Sequence, residues 1–112
     1  MKIIEEYKLK TGDDIWRMIT ACIKKNQSFN SVTGIVYDAE VLENSICYIG
    51  GSGERGRIGE TIDRADFVEA YDLVKNFSEI NTNSIKHIIK SSLYRKRTPF
   101  IGLLYSVGIV IK

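Results

Sequence analysis

Residues 63–112 read DRADFVEAYDLVKNFSEINTNSIKHIIKSSLYRKRTPFIGLLYSVGIVIK. Punctuation and period together predict three short helices and a closing strand there. Asp63 is a capping residue, and Phe67, Ala70, Tyr71 and Val74 recur behind it at three- and four-residue spacing, the mark of one buried helix face. Thr82 caps a second predicted helix, with Ile85, Ile88 and Ile89 on one side and Lys86, His87 and Lys90 directed elsewhere. Thr98-Pro99 supplies a cap and a first-turn proline, whose missing donor is harmless at that position. Phe100, Leu103, Leu104 and Val107 follow at core spacing, and Gly108 is the stop. Ile109-Val110-Ile111 leaves the helix as an extended apolar strand.

The same end of the chain carries a charge asymmetry. From Ile80 onward the basic residues are Lys86, Lys90, Arg95, Lys96, Arg97 and Lys112, with no acid among them. The other ten Lys and Arg face all 14 acids in residues 1–79, so a net charge of +2 divides into −4 and +6. Clustered cations beside helix starts are what phosphate contacts require.

Upstream, residues 2–9 read as a short strand, and Thr11-Gly12-Asp13-Asp14 opens a helix whose first-turn acids and terminal Lys24-Lys25 both suit the helix dipole. Ile15, Ile19, Cys22 and Ile23 form its apolar stripe, with Trp16 beside them as core. Residues 31–37 and 45–49 alternate apolar with small or polar side chains and read as two antiparallel strands, joined by an acidic connection over residues 38–44. Gly51-x-Gly53-x-x-Gly56 matches the dinucleotide fingerprint formally, but Gly59 falls where the following helix should run, so the stretch reads as a loop or hairpin tip. Arg55 and Arg57 give that loop two anion contacts.

Hydrophobic content of 44% and charged content of 27% are globular values and argue against a disordered or fibrous chain. No run is long or apolar enough to span a bilayer, and the first residues lack the apolar core of a signal peptide, so a cytoplasmic protein without membrane partners is expected. Cys22 and Cys47 read as small buried hydrophobes rather than a disulfide framework, and ligand spacing for a metal is absent.

Two family resemblances rest on these residues. Over about residues 66–110 the chain resembles winged helix-turn-helix domains and is similar to the gamma domain of the FtsK chromosome translocases. It shares Ala70 in an amphipathic first helix, the step Tyr94-Arg95-Lys96-Arg97 before the third helix, and the terminal Gly108-Ile109-Val110. That likeness implies a third helix in the major groove and a DNA contact from Lys96 or Arg97. Yet the helix that would enter the groove contains Gly102 and is apolar nearly all round, and such a helix is normally buried. The second resemblance is to GIY-YIG nucleases: Gly34-Ile35-Val36 and Tyr48-Ile49-Gly50 look like their two strand motifs, with Arg57 trailing. It implies phosphodiester cleavage with Tyr48 near the attacking water, Arg57 on the phosphate and Glu69 on a divalent metal. Val36 stands in place of the first tyrosine, and Tyr37 lies one residue later.

The expected architecture is therefore α+β in one compact domain, with an N-terminal helix and small antiparallel sheet over residues 1–62 and a winged-helix-like three-helix unit over residues 63–112. The expected function is non-enzymatic nucleic-acid binding or regulation without a cofactor or metal, duplex DNA or another polyanion being held by Lys86, Lys90, Arg95, Lys96 and Arg97. Two alternatives stand beside it. One is a protein-interaction domain or homodimer in which the helix over residues 99–107 or the strand over residues 109–111 meets another chain. The other is a degenerate metal-dependent nuclease using Tyr48, Arg57 and Glu69.

Overall fold

The computed structural model describes residues 1–50, 59–89 and 91–112. The chain opens with β1 (Lys2–Ile3) and a single helical turn, α1 (Glu5–Lys8), and then enters α2 (Gly12–Asn26). The start of α2 is set by a reciprocal cap. Thr11 Oγ1 accepts from the Asp14 N–H at 3.2 Å, and Asp14 Oδ2 accepts from the Thr11 N–H at 3.3 Å, so two donors that a helix start leaves unpaired are satisfied. Ile15, Trp16, Ile19 and Ile23 form its buried face, as their spacing predicts.

An antiparallel sheet in the order β2-β3-β4-β5 follows, from β2 (Ser28–Asn30), β3 (Val36–Val41), β4 (Ser45–Gly50) and β5 (Glu60–Asp63). Two boundaries differ from the expectation. Residues 31–35 are a turn, held by Ser31 N–H to Ile35 O at 2.8 Å and by the Ile35 N–H to Ser31 Oγ at 2.9 Å. Residues 38–41, expected as an acidic connection, lie within β3. Asp38 and Glu40 face solvent and alternate with the buried Tyr37 and Ala39, which is how a sheet wet on one face accommodates charge. The fourth strand, β5, has only Ile62 buried, too little pattern to be legible in sequence.

Next comes α3 (Arg64–Val74), with Phe67, Ala70, Tyr71 and Val74 buried as predicted; Asp63 occupies the cap position without a side-chain cap bond. The Phe67 ring lies 5.4 Å from Trp16 and 5.3 Å from Phe100, joining three helices at one point. The second helix predicted downstream is replaced by consecutive turns over residues 82–88. The reason is local: Asn81 Oδ1 accepts from the N–H groups of Asn83 at 2.9 Å and Ser84 at 2.8 Å, so short polar side chains compete with the helical ladder. Ile85 and Ile89 are nevertheless buried.

After α4 (Ser91–Tyr94), α5 (Arg97–Ser106) begins one residue before the predicted Thr98 cap, with Pro99 still in its first turn. Its end is a Schellman turn: the Gly108 N–H reaches Tyr105 O at 3.1 Å and the Ile109 N–H reaches Leu104 O at 2.9 Å. Gly108 has φ +80°, a conformation costly for any residue with a Cβ. The strand that follows, β6 (Val110–Ile111), pairs antiparallel with β1, Lys2 opposite Ile111 and Ile3 opposite Val110. The predicted final strand therefore closes the N-terminus onto the C-terminus.

α5 organises the molecule. Residues 99–104 are all buried. At one end Lys96 Nζ donates to Thr61 O of β5 at 2.5 Å, and at the other Ser106 Oγ accepts from the Asn30 N–H of β2 at 2.8 Å and donates to Asn30 O at 3.0 Å. Ten residues of helix rise about 15 Å, and four strands spaced by about 4.8 Å span about 14 Å from edge to edge. The helix and the residue before it thus bond backbone groups on both outer strands of the sheet, β2 through Ser106 and β5 through Lys96. The buried side chains form one core running from Ile3 to Val110 and drawn from both halves of the chain. The fold is α+β, and no helix among the described residues is long and apolar enough to cross a membrane.

Candidate functional site

The five cations expected to bind nucleic acid divide by position. Arg95 is exposed at the turn between α4 and α5, and Lys86 is half-buried in the turn stretch. Lys90 lies outside the described residues. Lys96 and Arg97 are half-buried and have internal work: Lys96 on Thr61 O, Arg97 through Nη1 on Thr82 O at 3.1 Å. The Arg97 guanidinium also lies over the Tyr94 ring, 4.2 Å from its centroid. Carbonyl bonds leave both charges intact, but they make Lys96 and Arg97 positioning residues as well as cations. Among the described residues no cation from 80 to 112 is ion-paired, whereas Arg17, Arg64 and Lys75 are bridged to Asp14, Asp13 and Asp72.

The helix implied for the major groove is α5, whose residues 99–104 are buried while Thr98 and Ser106 near its ends are exposed. The physical reason is the apolar run of residues 99–104, of which Phe100, Ile101, Leu103 and Leu104 belong to the core. The same burial bears on the interaction surface expected at residues 99–107, and the strand expected at 109–111 is already paired through β6 with β1.

The nuclease residues are arranged differently. Tyr48 is buried on the inner sheet face, where its hydroxyl donates to Glu60 Oε2 at 3.0 Å. Its ring meets Tyr37 edge-on at 5.6 Å and Phe29 at 5.9 Å. Pairing of Ala39 with Tyr48 makes Tyr37 the diagonal neighbour, so the tyrosine one place after the motif shares the face of Tyr48 and Val36 does not. Gly50 sits opposite Tyr37, where an added Cβ would come 2.6 Å from the ring, so packing alone accounts for a glycine there. Burial, then the Glu60 carboxylate, raises the Tyr48 phenol far above its ordinary value, and the same causes raise Tyr37. Glu69 is exposed on α3 and lines a depression with Asp13, Asp63 and Arg64, whereas Tyr48 lines another with Lys24, Gln27 and Cys47. Arg57 lies outside the described residues, as do the glycines of the fingerprint and Arg55. No group of three or more His, Cys, Asp or Glu side chains gathers as a metal site among the described residues. Cys22 and Cys47, expected to be buried, are half-buried free thiols, and His87 is exposed.

Sequence reading missed two things here. Glu60 carried no signal, being an acid at the end of a glycine-rich stretch. The Tyr94–Arg97 contact had one: the two residues stand three apart, the spacing that brings side chains together at a helix end. Compared with known proteins, the chain matches no family model, no curated protein and no solved structure.

Proposed function

We propose that the protein is a non-enzymatic nucleic-acid-binding module that engages phosphates through the basic surface of residues 80–112. The observation that carries this reading is that Lys86, Arg95, Lys96, Arg97 and Lys112 have no ion-pair partner among the described residues, and Arg95 is exposed. Phosphate binding gains from counterion release, and that gain falls linearly with the logarithm of salt concentration. Among the described residues Arg95 makes no side-chain bond, so Arg95→Ala separates binding from stability in a way that Lys96 and Arg97 variants do not.

The test is an anisotropy titration of a mixed duplex DNA pool over a series of salt concentrations, with and without magnesium. Wild type should bind with a negative log–log salt slope, and Arg95→Ala should bind more weakly with a slope smaller by about 0.9, the value of one lost phosphate contact. Absence of affinity for duplex and single strands alike at the lowest salt would sink the proposal. Cleavage of the pool that depends on magnesium would replace it with the nuclease reading.

A further inference from the structure

Tyr94 is an exposed aromatic of the basic surface and lies outside the core cluster: the residue keeps 42% of its surface in solvent, while its neighbour Leu93 is buried. Its ring is nevertheless held. The Arg97 guanidinium lies over it at 4.2 Å and is itself fixed by the carbonyl of Thr82 at 3.1 Å, so the stacked pair is anchored on the turn stretch. With a cation on one face, part of the residue's surface still remains open to solvent. Arg95, exposed and unpaired among the described residues, stands next to it in the chain.

From this arrangement we infer that Tyr94 is a stacking platform for an unpaired base, which makes single-stranded nucleic acid the preferred ligand of the surface. The inference rests on the phosphate-binding reading and adds the ligand class to it. An aromatic face accepts any base, because every base has a π-face, and a flanking cation holds the adjacent phosphate. In a duplex the bases are already stacked on one another, so Tyr94 has nothing to receive. Fixing the ring beforehand through Arg97 reduces the ordering that binding would otherwise require.

The experiment compares labelled oligodeoxythymidylate, oligouridylate and a duplex of equal length against wild type, Tyr94→Ala, Tyr94→Leu, Tyr94→Trp and Arg95→Ala. Loss of a stacked base corresponds to a roughly 5- to 150-fold weaker dissociation constant. Tyr94→Ala and Tyr94→Leu should show that loss on the single strands and under a twofold change on the duplex. Tyr94→Trp should stay within about twofold of wild type on every ligand, since it keeps an aromatic face. Arg95→Ala should weaken single strand and duplex alike, and the two single-stranded arms decide between DNA and RNA. Tyr94→Leu keeps apolar bulk at the site, so tight single-strand binding by that variant overturns the platform even if the alanine variant folds poorly. Equal losses on single strand and duplex in the Tyr94 variants also overturn it and leave the phosphate-binding reading in place. No binding of any nucleic acid by wild type overturns both.

Discussion

Replacing Gly12 with alanine sets two opposed effects against each other. Alanine is the better helix former by up to about 1 kcal/mol, so propensity alone predicts a gain at the first residue of α2. Packing predicts the reverse, because an added Cβ would stand 2.6 Å from Val68 O and 2.8 Å from both Val68 Cα and Cγ1. Carbon contacts normally settle at about 3.5–4.0 Å, and two of these three atoms are backbone, so α2 and α3 must part by close to 1 Å, in order of magnitude. Overpacking of this kind costs about 1–3 kcal/mol. The movement also stretches the 3.0 Å bond from the Gly12 N–H to Asp72 Oδ1, and bonds to a charged acceptor contribute about 1.5–3 kcal/mol. Sterics win, and a net destabilisation of about 2–4 kcal/mol is expected. For a domain of this size that is a melting temperature lower by about 8–16 °C. Trp16, the single tryptophan, lies on Phe67 at this same contact and makes its fluorescence the natural probe for denaturation. Gly102→Ala is the control: its Cβ meets Asn30 O at 3.1 Å and Ser31 Cα at 3.2 Å, a crowding of a few tenths of an ångström, and should cost about 1 kcal/mol or less. A Gly12→Ala protein as stable as wild type, or more so, would refute the close approach of the two helices.

Leu104→Ala, at a fully buried position of α5, should cost about 2–5 kcal/mol in urea unfolding; a change within about half a kcal/mol would mean that α5 is not the core helix described above. Burial, then the neighbouring Asp72, pushes the Tyr71 phenol up to about 12 while its hydroxyl donates to Tyr7 O at 2.6 Å. The folded state favours the neutral phenol, so this contribution is complete below the unfolded value near 10 and is lost as pH rises from there through 12. Tyr71→Phe should lose about 0.5–1.5 kcal/mol at neutral pH and show a shallower alkaline decline; urea midpoints at neutral and alkaline pH with the same decline in both proteins would contradict the assignment.

Elements whose cause is local were legible in the sequence. The Thr11 to Asp14 cap, the stripe Ile15-Ile19-Ile23, the face Phe67-Ala70-Tyr71-Val74, and the Gly108 stop each depend on residues a few positions apart, and each stands where its spacing places it. Where several local causes compete, periodicity misleads: Ile85 and Ile89 are buried, yet Asn81 and Ser84 take the backbone into turns. Tertiary structure alone decided the rest. That Lys96 seals β5 while Ser106 seals β2 depends on a helix as long as the sheet is wide, a match between elements more than 30 residues apart in the chain. Nothing in the run Tyr94-Arg95-Lys96-Arg97 distinguishes its three cations, which differ only in what the fold sets beside them. The carbonyl of Thr61 takes Lys96, the carbonyl of Thr82 and the ring of Tyr94 take Arg97, and Arg95 is left to solvent. A side chain's charge is written in its covalent structure, but whether that charge meets a ligand or a neighbouring carbonyl depends on distances that only the packed chain defines.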